Sequence, residues 1–275
     1  VVVAASAVSH YPLAKQLLEA GKDVYVEKPL TLQVAHAEEL VRIARERGRI
    51  LMVGHLLLFH PAVQYLKRMV ASGDLGDLYY IYSQRVNLGK VRKDENALWS
   101  FAPHDLSVIL HLLDMEPIDV VARGSAFLHG KVEDVVFVDL RFPGGKLAHV
   151  HVSWLDPHKL RKFTVVGSNK MVVFDDMEAS EKIRVYDKGV DRAGEVVSYG
   201  DALTVRSGDI LIPKLSLQEP LTLECRHFIE CMRDRKTPLT DGGDGLRVVK
   251  VLAAAQASLE AGGAPIAVAS LTAGV

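Results

Sequence analysis

The sequence has few cysteines, little net charge and no long apolar run. Among its 275 residues are two cysteines, and 33 Lys and Arg balance 34 Asp and Glu to a net charge of -1. Without a basic excess we expect no nucleic-acid partner, and without an acidic tail we expect no disordered extension. No apolar stretch reaches the length of a membrane span, and none follows a basic start as in a signal peptide, so we expect no membrane partner.

The cysteines are too few and wrongly spaced for a redox pair or a zinc site. Cys225 and Cys231 lie on a predicted helix, where their spacing turns them to different sides. Free thiols of this kind are the default in a reducing compartment, which favours a cytoplasmic protein. We expect no metal site, because His149 and His151 share a strand face but have no third ligand in view.

The sequence also lacks an initiating methionine. It opens with Val1 inside an apolar run, Val1 to Ala5, that is typical of a buried strand. Because a protein rarely begins in the middle of a buried strand, we expect further coding sequence upstream of Val1. An in-frame stop in the upstream DNA would contradict this expectation.

The first 54 residues alternate between short apolar strands and helices, which predicts a parallel sheet covered on both faces. Helix signals flank each strand. Ser9 is a candidate cap with Pro12 in the first turn, and Gly48 is a candidate terminator. We interpret this region as part of a doubly wound α/β sheet. The predicted strands are 1–5, 24–26 and 50–53, and the predicted helices run from Ser9 to Gly21 and from Thr31 to about Arg47.

Residues 55–275 predict an α+β domain with a large, mostly antiparallel sheet. In 134–142 and 146–154 apolar and polar residues alternate, with Gly144-Gly145 between them, which is typical of an antiparallel hairpin. Residues 201–218 are interpreted as an irregular loop. Further strands are predicted at Leu78–Val86, 161–167, 170–175 and 182–187. Helices are predicted from Pro61 to Ser72-Gly73, from Pro103 to Leu113, at 219–235, and at 243–261 with Asp241 as cap.

Chemistry-bearing residues follow all three early strands. Ligands of an open parallel sheet bind beyond the carboxyl ends of its strands. The strands end at 6–10, at Glu27-Lys28-Pro29 and at Gly54-His55, so a lysine, a carboxylate and the histidines His10 and His55 converge on one crevice. These groups suit an acid/base site. Each is also compatible with an ordinary strand end or helix start, so spacing alone leaves both interpretations open.

The residues of these segments resemble the Gfo/Idh/MocA dehydrogenases. Glu27-Lys28-Pro29 matches the EKP signature of that family, and Val1 to Leu30 follows its strand, helix, strand and EKP order. His60-Pro61 with Ser72 to Gly76, and Asp241 to Leu246, are similar to its interdomain and closing segments. The resemblance implies an NAD(P)-dependent sugar oxidoreductase. Residues 1–54 would be the C-terminal half of a Rossmann-type dinucleotide-binding domain, and 55–275 a substrate-binding and oligomerisation domain.

The resemblance implies two catalytic residues, Lys28 and His104. In the family the EKP lysine contacts the reacting hydroxyl, and a later helix begins with an aspartate and, four residues on, a histidine. In this sequence His104 takes the histidine position and Ser100 stands at the aspartate position. The acid/base work therefore falls on His104 and Lys28, since Asp105 is one residue further along the helix and points about 100° away. A helix-capping or core histidine is the alternative for His104.

A cationic loop follows the predicted strand Leu78–Val86. It supplies guanidinium and ammonium groups, which suit phosphate oxygens, although a solvated basic turn is the alternative. Asn87-Leu88-Gly89, the run from Leu98 to Asp105 and Phe174-Asp175-Asp176 are similar to the nucleotide-sugar branch of the family. That branch includes enzymes that oxidise UDP-N-acetylglucosamine or its uronate at C3. The implied substrate-binding residues are Arg85, Asn87, Lys90, Arg92, Ser100 and Asp105.

The cofactor implied by the resemblance is NAD or NADP. The sequence lacks the GxGxxG turn that seats a dinucleotide pyrophosphate and the acidic residue that binds the ribose, so we expect these residues by themselves to hold NAD(H) weakly. Two alternatives remain open: a non-catalytic member that binds a sugar or a partner, and a simple polyol or inositol dehydrogenase. The family's use of its open sheet implies a homodimer or homotetramer. The implied cofactor contacts are Ser6, His10, Glu27, Lys28 and Pro29.

Overall fold

A small parallel sheet contains the first three strands of the chain. The computed structural model describes residues 1–89, 92, 95–128, 130, 132–192, 203–216 and 218–272. The strands β1 (Val2–Val3), β2 (Val24–Val26) and β3 (Leu51–Val53) pair in that order, and helices α1 (Ala7–Glu19) and α2 (Val34–Glu46) connect them. All three predicted strands and both helices are present, which confirms the partial doubly wound sheet.

The first helix ends as predicted but begins earlier. Gly21 follows α1 with a φ of +73°, a conformation in which glycine has no steric penalty, and this confirms it as the terminator. Helix α1 begins at Ala7 with Ser6 at its N-cap position. The predicted cap, Ser9, is therefore wrong, and Pro12 lies inside the helix.

The second helix also ends at its predicted terminator but does not begin at its predicted cap. Gly48 follows α2 with a φ of +58° and is confirmed as its terminator. The predicted cap, Thr31, is wrong, because the helix begins at Val34 with Gln33 at the N-cap position. The Thr31 hydroxyl instead donates to the Gln33 carbonyl over 2.7 Å, which fixes the chain just before the helix.

Among the described residues after β3, the β structure consists of a nine-stranded sheet and a separate two-stranded pair. The strands of the large sheet are β4 (Leu78–Val86), β5 (Asp119–Ser125), β6 (Val135–Arg141), β7 (Leu147–Ser153), β8 (Leu160–Gly167), β9 (Met171–Asp175), β10 (Ile183–Tyr186), β13 (Ile210–Leu211) and β14 (Ile266–Ala267). The separate pair is β11 (Gly189–Arg192) and β12 (Leu203–Arg206). The order in the large sheet is β13-β10-β9-β8-β4-β7-β6-β5-β14, and β4 with β7 is its one parallel pair among the described residues. The mostly antiparallel sheet is confirmed.

In the described part of the chain four α-helices accompany this sheet, and one begins well before its predicted start. They are α3 (Pro61–Ala71), α4 (Ala97–Leu113), α5 (Pro220–Asp234) and α6 (Gly242–Glu260). Helix α4 was expected to begin at Pro103. It begins at Ala97, because the side chain of Asn96 accepts a hydrogen bond from the Trp99 amide over 3.1 Å and so caps it. The predicted irregular loop 201–218 is wrong in part, since it contains β12 and β13.

The hydrophobic core lies between the helices and the inner face of the large sheet. The predicted hairpin is confirmed as β6 and β7, whose inward residues are at most 3% exposed: Val136, Val138, Leu140, Ala148, Val150 and Val152. Helix α6 takes part in two clusters. Its Val251 and Leu252 pack in the large core, and its Val249 packs against the parallel sheet. The predicted boundary between 54 and 55 therefore has one helix serving both sides, and it stays a prediction.

The outer face of the large sheet carries apolar side chains. Tyr80, Tyr82, Phe137 and Leu147 are between 38% and 53% exposed. Tyr80 and Tyr82 stack on one another with ring centroids 6.2 Å apart. Such a face suits burial against a second subunit, and the expected homodimer or homotetramer stays a prediction. Across the described part of the chain, no helix is long and apolar enough to cross a membrane.

Gly245 lets α6 approach the parallel sheet closely. A Cβ at this position would lie 2.6 Å from Val53 Cγ2 and 3.1 Å from Leu30 Cδ2. We therefore expect Gly245→Ala to lower the free energy of unfolding by roughly 1–3 kcal/mol, although alanine is the better helix former. Urea denaturation measures the loss. Gly130→Ala is the control, because a Cβ there meets nothing within 4 Å. Equal stability of the two variants would contradict the close approach.

Candidate active site

The carboxyl ends of the three parallel strands meet at one edge of the small sheet. Ser6 follows β1, Glu27 and Lys28 follow β2, and His55 follows β3. The backbone fixes these positions, since the Glu27 amide donates to Val3 O and the Gly54 amide donates to Val26 O. This edge is the rim of the candidate site, and the structure brings the residues predicted to lie on it together.

His10 braces the rim instead of pointing away from it. It is 1% exposed, and its Nδ1 lies 2.7 Å from Pro29 O while its Nε2 lies 3.1 Å from Ala5 O. These contacts join α1 to the turns after β1 and β2. Both ring nitrogens are thus engaged by the backbone, so His10 holds the rim in shape, and its contact with a cofactor stays a prediction.

Lys28 reaches from the rim to helix α4. Its Nζ donates a hydrogen bond to Ser100 O over 2.8 Å, across 72 residues of sequence. Ser100 lies one helical turn before His104, and residues spaced by four share a helix face. The two predicted catalytic residues therefore lie at the same crevice. Ser100 itself is 6% exposed, and here its carbonyl, not its side chain, makes the contact with Lys28.

Burial and neighbouring cations control the charge of both groups. Burial lowers the pKa of the His104 imidazole well below its usual value, and Lys28 and Arg85 act in the same direction. Burial also lowers the pKa of the Lys28 ammonium, an effect that Glu95 and Glu27 oppose. The imidazole is therefore neutral at neutral pH and available to accept a proton.

Arg85 and Asp105 form a buried ion pair beside His104. Arg85 Nε lies 2.6 Å from Asp105 Oδ2, and Asp105 is 3% exposed. A second contact, from Arg85 Nη2 to Asp105 Oδ1, measures 3.4 Å. Asp105 thus orients the arginine, which is a role that its position next to His104 did not reveal. Direct contact of either residue with a substrate stays a prediction.

A cavity of about 100 Å³ adjoins His104. It is lined by Arg85, Val86, Asn87, Phe101, His104 and Arg161. Arg161 was missed by sequence reasoning. It stands opposite Arg85 in the register of β4 and β8, and its Nη1 lies 3.3 Å from Asp176 Oδ2. Two arginines side by side on neighbouring strands need anions close by, and the two aspartates supply them.

The cationic loop is described only in part. The guanidinium of Arg92 lies 3.0 Å from Glu95 Oε1, and its side chain is 48% exposed. Lys90 lies outside the described residues. The backbone N–H of Asn87 donates a hydrogen bond to Ser153 O over 3.1 Å, which holds the start of the loop at the end of the sheet. The proposed phosphate contacts of this loop stay predictions.

A larger cleft of about 460 Å³ lies elsewhere, beside the start of β3. Its lining includes Arg45, Arg49, Arg235 and Lys236 but neither Lys28 nor His104. We place the active site at the smaller cavity because His104 lines it, whereas the larger cleft has neither of the predicted acid/base groups in its lining. Among the described residues, no group of three or more His, Cys, Asp or Glu side chains could hold a metal ion.

Helix α5 buries a carboxyl group beneath the rim. Glu224 is fully buried, and burial, with a smaller influence of Glu27, raises its pKa to about 8. It lies beside Tyr25 of β2, and a Cβ on Gly54 would lie 2.9 Å from the Tyr25 hydroxyl. Glu224 is therefore protonated at neutral pH. A glutamate inside an amphipathic helix gave no sign in the sequence that it would be buried.

Comparison with known proteins identifies the fold. Residues 1–55 match the model described as an oxidoreductase family with an NAD-binding Rossmann fold, Gfo/Idh/MocA. Residues 63–173 match the Gfo/Idh/MocA C-terminal domain. The chain belongs to the Gfo/Idh/MocA oxidoreductase family.

Several proteins of this family are similar over most of the chain. UDP-N-acetylglucosamine 3-dehydrogenase of Acidithiobacillus ferrooxidans is 24% identical over 92% of this chain and 76% of that protein. A crystal structure of that enzyme superposes with a TM-score of 0.79 over 95% of this chain and 79% of its own. The scyllo-inositol 2-dehydrogenase (NAD⁺) of Bacillus subtilis is 24% identical over 95% of this chain and 75% of that protein.

An inositol dehydrogenase homologue of Azotobacter vinelandii, solved with NADH and myo-inositol, shares the fold. It is 18% identical, with a TM-score of 0.79 over 97% of this chain and 77% of its own. The family model that matches residues 1–55 is described as NAD-binding, which gives NAD as the cofactor of the family. The residues present suit its nicotinamide end, since the Ser6 hydroxyl is exposed at the α1 N-terminus and the Lys28 ammonium lies at the same rim. The glycine-rich pyrophosphate turn is not among the 275 residues.

The charge of Lys28 acts on His104, and its removal should be visible in a titration. We expect Lys28→Met to raise the pKa of His104 toward its ordinary value, because the ammonium favours the neutral imidazole. Proton NMR of the histidine ring signals between pH 4 and 8 measures the change. Lys22→Met, at an exposed position between α1 and β2, is the control and should leave the pKa of His104 unchanged. An unaltered His104 titration in Lys28→Met would contradict the juxtaposition of the two groups.

Glu224 should make the fold less stable as the pH rises. The unfolded carboxyl loses its proton near 4.5 and the folded one near 8, so between these values the folded state binds the proton more tightly. The stability from this group is complete below pH 4.5 and is lost as the pH rises through 8. At pH 9 we expect the free energy of unfolding of Glu224→Gln to exceed that of the wild type by roughly 1–3 kcal/mol, because the substitution removes a buried charge.

Denaturation curves between pH 5 and 9 test this expectation. Glu230→Gln is the matched control, because Glu230 lies on the same helix and is exposed. The free energy of unfolding of Glu230→Gln should vary with pH in the same way as that of the wild type. A Glu224→Gln curve parallel to the wild type would show that the carboxyl is ionised in the folded protein.

Proposed function

We propose that the protein is an NAD(P)-dependent sugar dehydrogenase that oxidises C3 of a UDP-linked N-acetylhexosamine or its uronate. The observation that supports this is the 2.8 Å hydrogen bond from Lys28 Nζ to Ser100 O, since it places an ammonium beside the helix face of His104. A cation and a neutral base at one crevice are the groups that alcohol oxidation requires. The named activities of the Acidithiobacillus and Bacillus relatives support the class of substrate.

His104 acts as the general base. Its lowered pKa keeps the ring neutral, so it accepts the hydroxyl proton of the substrate. Lys28 exchanges Ser100 O for the same substrate oxygen and stabilises the negative charge that develops there. When bound, NAD(P) supplies the hydride acceptor. Ser6, Glu27 and Pro29 would hold its nicotinamide end at the rim.

The nucleotide end of the substrate lies toward the cationic side of the cavity. Asn87 and Arg161 line the cavity with Arg85, which Asp105 holds in place. Guanidinium groups from neighbouring strands suit the oxygens of a diphosphate, and the exposed Arg92 adds a further cation at the edge. Lys90 and the Ser100 side chain complete the proposed contacts.

The base assignment is tested by His104→Ala. We expect kcat to fall by about 10²- to 10⁴-fold with unchanged cofactor affinity, because general-base catalysis is worth that factor. Steady-state kinetics of the full-length gene product with NAD⁺ and UDP-N-acetylglucosamine measure it. Asp105→Ala is the comparison and should mainly raise KM, through loss of Arg85 orientation. If His104→Ala is fully active and Asp105→Ala is inactive, the base is Asp105.

The same assay separates the nucleotide-sugar reading from its alternatives. Arg92→Ala should raise KM for UDP-N-acetylglucosamine, whereas Arg42→Ala, on the far helix α2, should not. A polyol dehydrogenase is the second candidate, supported by the inositol-oxidising relative of Bacillus subtilis. Oxidation of myo-inositol at least as fast as the UDP-sugar would favour it. Sugar binding without turnover in the full-length protein would favour the non-catalytic alternative.

A further inference from the structure

His55 is a buried histidine without a partner at the candidate active site. It follows β3, its ring is 1% exposed, and neither ring nitrogen has a hydrogen-bond partner among the described residues. The positive charge of Lys28 lowers the pKa of His55, and His55 in turn contributes to the lowered pKa of His104. His55 therefore lies within the group of residues that forms the crevice, and none of the roles assigned so far uses it.

An unpartnered buried imidazole is costly, so its presence needs an explanation. Leaving a buried polar group unsatisfied costs more than a hydrogen bond returns, and such groups are rare in folded proteins. Nearby histidines follow the rule. His10 contacts two backbone carbonyls, and His60 Nδ1 accepts the Ala62 amide over 3.0 Å. His55 is thus an exception in a region where the backbone readily supplies partners.

The charge state of the His55 ring determines which chemical groups could form hydrogen bonds with its two nitrogens. Burial, and then the positive charge of Lys28, lower the pKa of His55 to about 4, so the ring is neutral at neutral pH. A neutral imidazole presents one N–H donor and one acceptor nitrogen. A hydroxyl group can donate to the acceptor nitrogen or accept from the N–H, so it can pair with either ring nitrogen, whereas an ammonium or a carboxylate can pair with one kind alone.

We infer that His55 is a substrate-contacting residue, and that one of its unpartnered ring nitrogens is satisfied by a sugar hydroxyl next to the one that reacts between Lys28 and His104. The inference rests on the proposed sugar-dehydrogenase function and adds the group that recognises a vicinal diol. Because the ring is 1% exposed here, the substrate reaches it only after Lys28 exchanges Ser100 O for the substrate oxygen. His55 then helps to select polyhydroxylated ligands over simple alcohols.

A stability measurement distinguishes this role from a structural one. We expect His55→Leu to be at least as stable as the wild type, because an apolar side chain removes an unsatisfied polar group from the interior. A histidine that supports the fold would show the opposite. Urea denaturation of the 275-residue chain provides the comparison. A clear loss of stability in His55→Leu would overturn the inference.

A binding measurement provides the second test. Calorimetric titration with UDP-N-acetylglucosamine and with myo-inositol should show weaker binding to His55→Leu, by about threefold to tenfold for each lost hydrogen bond. His55→Gln, which keeps a donor and an acceptor, should recover part of the affinity. His111→Leu is the matched control, since His111 also has a buried unpartnered Nε2 but lies at the far end of α4. Its affinities should equal those of the wild type.

The outcomes separate this inference from the proposed function. If the wild type binds either probe and His55→Leu binds it equally well, the inference is wrong and the proposed function stands. If myo-inositol binds in a His55-dependent way and the UDP-sugar does not bind, the nucleotide-sugar assignment is wrong and the inference stands. If neither probe binds to the wild type, both are overturned.

Discussion

One hydrogen bond, from Lys28 Nζ to Ser100 O, joins the two halves of the candidate active site. The lysine follows the second strand of the three-stranded parallel sheet, and the carbonyl belongs to helix α4, which packs in the core of the nine-stranded sheet. Neither half holds an acid/base pair alone. The position of α4 against the rim therefore determines whether Lys28 and His104 face the same oxygen, and the packing of α4 is what keeps them there.

Most strands and helices could be predicted from the sequence, because they depend on patterns of apolar and polar residues that are local in the chain. Apolar runs predicted the three parallel strands, and the alternation in 134–142 and 146–154 predicted the hairpin β6–β7. The rim residues followed from the rule that parallel strands end at one edge. The catalytic roles of Lys28 and His104, in contrast, came from the resemblance to a family. No local pattern says that a lysine after β2 will meet a helix 72 residues later.

What the sequence did not reveal depends on partners far apart in the chain. The start of α4 was misplaced because Pro103 is a common helix opener, whereas the capping side chain of Asn96 lay in an apparently polar loop. The Arg85–Asp105 pair, the facing Arg161 and the buried Glu224 each require knowledge of strand register or helix packing. Composition and periodicity carry no information on these contacts.

Helix α6 has a consequence for how the molecule is divided. One helix supplies Val249 to the core of the parallel sheet and Val251 with Leu252 to the core of the large sheet. A helix near the end of the described chain thus completes one side of the hydrophobic core at its beginning. A cut of the polypeptide near residue 54 would separate two recognisable sequence modules but would leave the first without a side of its core. The unit that folds and the unit that sequence similarity recognises are therefore different objects in this protein.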